Sequence, residues 1–309
     1  MSDGVGGAAS GPERSGGKTS SSSAAWRSEP SSTMSHRVDA AAPGPERTSP
    51  VGAAVSVDGV TKVFNPGRPD QVRALSNVDL TVAEGQFVTL IGPSGCGKST
   101  LLRLIADLIA PTTGTIAVAG QPAAKARLKQ EYGIAFQQSG LFEWRTVLRN
   151  VELPLELRGM SRADRKARAE EMLALVGLPD FADHYPAQLS GGMQQRVAIA
   201  RALAVSPPLL LMDEPFGALD EMTRERLQTE LLQICAQTAT TTVFVTHSIS
   251  EAVFLSNRVV VMSPRPGRIT ASIDVDLPTR DDAARQSPAF FDAITAVRRA
   301  LRAAPAVAP

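Results

Sequence analysis

From Ala53 onward the chain switches between short β-branched runs and longer stretches of helical periodicity. Ala54–Phe64 and Val72–Val82 alternate apolar and polar residues as half-buried strands do, and Asn65-Pro66-Gly67 supplies a turn between them. Phe87–Ile91 is a short apolar run that predicts a strand, followed by a glycine-rich loop and an apolar helix over Ser99–Ile109. Thr115–Ala119 and Gly133–Phe136 predict further strands. Between Thr146 and Leu175 the period becomes helical. Ser161 and Asp164 make a capping-box-like start there, and Met172, Leu173 and Val176 supply apolar positions. Another helix opens near Gly191. Leu209–Met212 predicts a compact buried strand, and Leu227, Leu231 and Ile234 mark the inner face of the helix after it. Thr242–Val245, Arg258–Met262 and Ile269–Ile273 read as strands, and Ala289–Leu301 as a terminal helix. Strands alternating with helices predict an α/β fold, with a mostly parallel sheet covered on both faces. The long helical stretch in the middle predicts a separate helical lobe.

Residues 1–52 have a different texture. They are serine, glycine, alanine and proline with almost no branched aliphatics, and their charges cancel. Such a segment cannot bury enough apolar surface to offset its ordering entropy, so a disordered, dispensable tail is expected. Met34 inside it offers a second start of translation.

Composition narrows the function classes. The 309 residues carry 32 Lys+Arg against 31 Asp+Glu, a net charge of +1, which lacks the basic excess of a nucleic-acid binder. Aromatic content of 5% also disfavours a base-stacking surface. Cys96 and Cys235 are too few for a disulfide framework or a metal cluster. No apolar run reaches the roughly 18–20 residues of a membrane span, and no secretory signal layout opens the chain. A soluble protein of a reducing compartment is expected.

Three motifs carry the chemistry. Gly92-Pro93-Ser94-Gly95-Cys96-Gly97-Lys98-Ser99 fits the G-x-x-x-x-G-K-[ST] phosphate loop, between a predicted strand and a predicted helix as that motif requires. Its backbone N–H groups would cradle phosphates, Lys98 would reach the β/γ oxygens, and the Ser99 hydroxyl would ligate Mg²⁺. Cys96 reads as a small neutral filler of that loop, and Cys235 as packing on a helix face. Leu189-Ser190-Gly191-Gly192-Met193-Gln194-Gln195-Arg196 opens a helix with small residues, a second anion-binding device. Leu209-Leu210-Leu211-Met212-Asp213-Glu214 is an apolar strand ending in two carboxylates, at the end where α/β sheets place ligands. Asp213 would hold Mg²⁺ and Glu214 would polarise an attacking water. No Asn-Lys-x-Asp guanine reader appears, which disfavours a GTPase, while the phosphate loop by itself does not separate an ATPase from a small-molecule kinase.

The second motif resembles the LSGGQ-type signature of the ATP-binding cassette family, and the resemblance extends over about residues 56–267 with all motifs in family order. It implies a P-loop NTPase (RecA-like) core with an antiparallel β-lobe and a helical signature subdomain. The cassette would span 53–275, with the helical subdomain at about 140–190 and a C-terminal extension at 276–309. It further implies nucleotide contacts from Gly92 to Ser99 and from Thr100. By the same resemblance the nucleotide would be ATP, Phe64 would stack on adenine, Gln137 at the Q-loop position would sense Mg²⁺ and water, and His247 would contact the γ-phosphate as the switch histidine. Asp220 belongs to the D-loop, Pro215–Asp220. In the family two copies pair head to tail, so Ser190, Gly191 and Gly192 would grip the γ-phosphate held by the other copy's Lys98 loop.

Trp144-Arg145-Thr146-Val147, Asn150-Val151, Glu251–Leu255 and Ser263–Arg268 look like the nitrate/sulfonate/taurine branch of bacterial importers. That branch implies a motor peripheral to the cytoplasmic face of the membrane. A separate permease and an extracytoplasmic solute-binding protein would handle a small anion such as an aliphatic sulfonate, taurine or nitrate. Two positions depart from the family pattern. Ser248 stands where an acid usually follows the switch histidine, and Glu143 where a proline usually precedes the tryptophan. The alternative is a non-transport member of the superfamily acting in DNA repair or translation. Its usual coiled-coil insertion, cysteine pairs or second cassette do not appear.

Overall fold

Three strands have every residue buried: β3 (Phe87–Ile91), β7 (Leu209–Asp213) and β8 (Thr241–Thr246). A strand buried on both faces belongs in the middle of a parallel sheet with cover above and below. The computed structural model, which describes residues 52–304, places them so. Of the predicted tail, residues 1–52, all but Gly52 lie outside that range, as do the last five residues of the chain. The strand order is β10-β9-β3-β8-β7-β6, where β6 is Tyr132–Ala135, β9 is Arg258–Met262 and β10 is Ile269–Asp274. All pairs from β9 to β6 are parallel, and only β10 runs antiparallel, at an edge, with the in-out alternation of a half-exposed strand. The second sheet is antiparallel, in the order β2-β1-β4-β5, built from β1 (Ala53–Phe64), β2 (Val72–Ala83), β4 (Thr113–Val118) and β5 (Gln121–Pro122).

Two hydrophobic cores flank the parallel sheet. One joins it to the antiparallel sheet through helix α1 (Lys98–Ile105), with Val55, Leu75, Leu90, Leu101 and Val260 all buried. The other joins it to α3 (Val147–Leu157), α4 (Arg162–Leu175), α5 (Gly191–Leu203), α6 (Glu221–Thr238), α7 (Ile249–Leu255) and α8 (Pro288–Ala303). Ser161 caps α4 by accepting the Asp164 N–H, and its hydroxyl donates back to the Asp164 carboxylate at 2.7 Å, so the capping reading holds. Cys235 is buried on α6 with its sulfur 3.5 Å from the Thr242 hydroxyl, as packing requires.

Four local features depart from the periodicity. Helix α1 stops at Ile105 rather than Ile109 because Asp107 adopts φ 52. Asp107 N–H then bonds Leu104 C=O and Leu108 N–H bonds Arg103 C=O, the paired bonds of a Schellman stop. Glycine normally signals that stop, and its absence hid it. After β4, Ala119 and Gly120 both take positive φ, 49 and 70, and turn the chain into the two-residue β5. An alanine in the first position masked this hairpin. The short α2 (Ala123–Leu128) that follows and the seven-residue α7 carry too few turns to show a period. Finally, the helical stretch 146–175 is two helices, broken at Gly159.

Close approach fixes one more residue. A Cβ on Gly133 of β6 would lie 2.2 Å from Ala202 C=O on α5, whereas one on Gly191, at the start of α5, would meet nothing within 4 Å. Gly133→Ala should therefore cost about 1–3 kcal/mol and lower the thermal midpoint by several degrees. Gly191→Ala should stay within about 0.5 kcal/mol of the parent; thermal denaturation of the two variants checks the contrast.

Candidate active site

The parallel pairing has one consequence that decides where chemistry can happen. Five neighbouring strands end on the same side, so the segments leaving β9, β3, β8, β7 and β6 share one edge of the sheet. In that order they carry Arg265, the Gly92–Ser99 loop, His247, Asp213-Glu214 and Gln137. A cavity of about 490 Å³ lies there, lined by Phe64, Val72 and Ala74 from the antiparallel sheet, by Ser94, Gly95 and Gly97 to Thr100 of the loop, and by Gln137, Glu214, His247 and Arg265. Its size suits a nucleotide-scale ligand.

The phosphate loop is held from two sides. Gly97 has φ 108, and a Cβ there would fall 2.6 Å from Leu75 Cδ2 and 3.0 Å from Ala74 C=O, so the loop lies against β2. A Cβ on Gly267, in the turn between β9 and β10, would lie 2.0 Å from Cys96 C=O. Arg265 of that same turn donates from Nε to Gly95 C=O at 3.2 Å. Cys96 is itself buried, consistent with a filler. Lys98, 6% exposed, donates to Gly92 C=O at 2.9 Å and Pro93 C=O at 3.1 Å. A buried cation partnered by carbonyls at the first turn of a helix makes a strong anion site.

Beyond the loop stand the carboxylates. The Ser99 hydroxyl donates to Asp213 Oδ1 at 2.8 Å, so two oxygen donors meet at one point. Burial pushes the Asp213 carboxyl above its ordinary value, while the Ser99 hydrogen bond pulls it partly back. Hard oxygen donors of this kind, one carboxylate and one hydroxyl, fit Mg²⁺ shared with phosphates. Glu214 then breaks from the strand with φ 48, a left-handed conformation that costs an L residue about 1–2 kcal/mol. Its N–H is anchored to Val245 C=O at 2.9 Å. The turn brings Glu214 Oε2 to 3.3 Å from Gln137 Nε2, which donates to it, and to 3.3 Å from His247 Nδ1. Sequence-predicted residues from three strands thus meet on one carboxylate oxygen.

Other predicted residues lie elsewhere. Ser190 caps α5 by accepting the Met193 N–H, and Asp220 caps α6 by accepting the Thr223 N–H. The Thr223 amide and hydroxyl hold the Asp220 carboxyl below its usual range. A Cβ on Gly192 would lie 3.1 Å from Ala218 C=O, so the signature turn packs on the Pro215–Asp220 loop. None of Ser190, Gly191, Gly192 and Asp220 lines the cavity of this chain. Phe64 does, at 37% exposure, with the Lys62 ammonium 5.1 Å from its ring centre. Ser248 explains its own departure from the family pattern: its hydroxyl accepts the Glu251 N–H and caps α7, a task that an aspartate performs equally well.

Val72, Ala74 and Arg265 join the site without having been singled out as ligands. Arg265 was legible in principle, since it follows the carboxyl end of an apolar strand within a Pro-Arg-Pro-Gly turn. The two β2 residues were not, because nothing local shows which sheet a loop will rest upon.

Known proteins agree with this geometry. The family described as ABC transporter matches residues 75–217. An uncharacterized ABC transporter ATP-binding protein of Methanocaldococcus jannaschii is 50% identical over 227 residues, covering 72% of this chain and 82% of the relative. The taurine import ATP-binding protein TauB of Rhizobium johnstonii is 47% identical over 230 residues, 73% of this chain and 86% of the relative. The bicarbonate transport ATP-binding protein CmpC of Synechocystis is 47% identical over 230 residues, 72% of this chain and 34% of that longer protein. A dimeric post-hydrolysis state of the ATP-binding cassette MJ0796, bound to ADP and Pi, superposes with a TM-score of 0.67 at 39% identity. That similarity covers 72% of this chain and 99% of the other. The chain belongs to the ABC transporter family, in the nitrate/sulfonate/taurine importer branch, and is an ATP-hydrolysing subunit of the kind that drives transport.

Proposed function

We propose that two copies of this chain form the motor of an importer, each ATP lying between the Gly92–Ser99 loop of one copy and the Ser190–Gly192 turn of the other. The observation that carries the catalytic part is the Glu214 carboxylate, within 3.3 Å of both Gln137 and His247 and next in sequence to Asp213, which Ser99 contacts. Glu214 accepts a proton from the attacking water, a role for which its bond from Gln137 orients the carboxylate. His247 donates to the γ-phosphate and Lys98 balances the charge on the β/γ oxygens. Ser99, Asp213 and Gln137 would hold Mg²⁺, which supplies charge neutralisation on the transferred phosphoryl group. Phe64 packs on the adenine and Thr100 continues the phosphate cradle.

The head-to-tail pair is supported by two things. The signature residues lie off the cavity of their own chain, and the MJ0796 cassette is dimeric. ATP closes the pair because only the closed state offers both sets of phosphate contacts. Movement reaches the Gln137 segment through α5. Gln195 donates to Phe136 C=O at 2.9 Å, and Arg201 donates to Ser139 and Gly140 C=O, both at 2.8 Å. The helix that starts at the signature therefore carries the Q-loop with it.

Past the Q-loop, buried Asn150 bonds the backbone of Phe142, Arg145 and Thr146 and so stiffens a turn that presents Trp144, 74% exposed, beside Glu143. That rigid, exposed aromatic is the docking point for a separate permease. Among the described residues no helix is long and apolar enough to cross a membrane, and the reading assigns the span to that permease. The motor works peripherally on the cytoplasmic face, with an extracytoplasmic solute-binding protein delivering cargo. TauB and CmpC, named for taurine and bicarbonate, support a small anion as the solute. No observation favours a repair or translation ATPase.

Glu214→Gln should lower ATP turnover by at least about 10²-fold while leaving ATP bound in a stable dimer by size-exclusion chromatography; near-normal turnover contradicts the base role. Lys98→Ala should weaken ATP binding by about tenfold or more in equilibrium titration, and unchanged affinity contradicts the phosphate-loop assignment. Trp144→Ala should keep the isolated subunit's turnover and abolish co-purification of the permease from solubilised membranes; undiminished co-purification contradicts the docking role.

A further inference from the structure

His247 is followed at once by α7, a seven-residue helix too short to be stable on its own. Both of its ends are tied to the segment after β10. At the C-terminal end, Arg280 Nη1 donates to Val253 C=O at 3.1 Å and Phe254 C=O at 2.6 Å, and Nη2 donates to Ser256 C=O at 2.7 Å and Val275 C=O at 3.2 Å. These include last-turn carbonyls without a helical partner, and a cation there also opposes the helix dipole.

At the N-terminal end the link passes through buried side chains. Arg285 Nη2 donates to Gln228 Oε1 at 2.8 Å, and Gln228 Nε2 donates to Glu251 Oε1 at 3.0 Å. A guanidinium only donates, so Arg285 fixes which way the Gln228 amide faces and thereby gives Glu251 a donor. The other Glu251 oxygen accepts from the Thr246 hydroxyl, and Thr246 Oγ1 in turn accepts the Ser248 N–H at 3.0 Å. The residues on either side of His247 are therefore both held by Glu251, directly or through one hydrogen bond. Burial pushes the Glu251 carboxyl up and those two donors pull it back. Arg285 itself lies 3.4 Å over the Phe254 ring, and its Nε is buried without a partner, so its placement rests on the stack and on Gln228.

We infer that the segment following β10 is a positioning element for His247: Arg280 and Arg285 hold the two ends of α7, and Arg285, acting through Gln228, Glu251 and Thr246, sets where the histidine stands beside Glu214. The inference rests on the reading of His247 as a γ-phosphate contact, and neither arginine touches the reacting atoms.

The test is steady-state ATP hydrolysis by the purified full-length chain, with substitutions made on the parent and on His247→Ala. Arg285→Ala on the parent should lower kcat by about tenfold with KM for ATP within about twofold, the signature of a displaced group rather than a lost binding contact. On His247→Ala the same substitution should change kcat by less than about twofold, because the group it positions is gone. Arg285→Lys should fail to restore kcat, since an ammonium lacks the plane that stacks on Phe254 while donating to Gln228. Gln228→Met, which keeps the stack and removes the hydrogen bonds, should reproduce the Arg285→Ala pattern and decides the matter if Arg285→Ala does not fold. Full turnover in both Arg285→Ala and Gln228→Met overturns the inference, as does an equal loss on both backgrounds. Undiminished turnover of His247→Ala alone overturns the reading of the histidine, and the inference with it.

Discussion

The convergence of the Gly92–Ser99 loop, Asp213, Glu214, His247 and Gln137 follows from the parallel pairing of β9, β3, β8, β7 and β6. Parallel strands need a crossover for every return, so all five carboxyl ends collect on one edge and all the crossovers are spent elsewhere. The order across the sheet sets the order of the chemistry. The phosphate loop leaves β3, His247 leaves the adjacent β8, the two carboxylates leave β7, and Gln137 leaves the outermost β6. A one-residue slip of β7 would exchange the faces of its side chains and remove Asp213 from Ser99. Every residue of β3, β7 and β8 is buried, so such a slip would have to repack both cores at once.

The elements that grip this edge are also the ones that can move it. The antiparallel sheet and the β9–β10 turn press on the phosphate loop at Gly97 and Cys96, so the cradle is rigid. The Gln137 segment, by contrast, hangs from α5 through Gln194, Gln195 and Arg201. In the proposed motor, a fixed phosphate end and a Gln137 segment tied to α5 would let closure of the pair move the Gln137 side of the site. Glu214 stands between them, in a left-handed backbone conformation, with hydrogen-bonding partners from both neighbouring strands. Strain of that kind persists only when its surroundings enforce it, and here the Val245 carbonyl and the Gln137 amide do so.

Much of this was legible in the sequence because the signals were local. Asp213 and Glu214 follow four large aliphatics, Lys98 follows the glycine-rich loop, and Ser161 stands three residues before Asp164. What escaped was set by distant packing or by residues that mimic the wrong signal. Asp107 ends α1 where glycine was the cue, and Ala119 opens a hairpin where asparagine or aspartate would have announced it. Val72, Ala74 and Arg265 enter the cavity only because two separate pieces of chain rest on the loop. The Arg285–Gln228–Glu251 chain spans residues far apart in sequence and has no periodic or motif signature.

The central claim is that the cavity of one copy is completed by the signature turn of another. It is tested most directly by mixing two variants with one introduced cysteine each, Ser94→Cys and Ser190→Cys, both carrying Glu214→Gln to retain ATP. A disulfide between them can form only across two chains, and the native Cys96 and Cys235 are both buried and contribute little background. The account expects a crosslinked dimer that appears on adding ATP and is absent without nucleotide. A crosslink indifferent to ATP, or none in its presence, would contradict it.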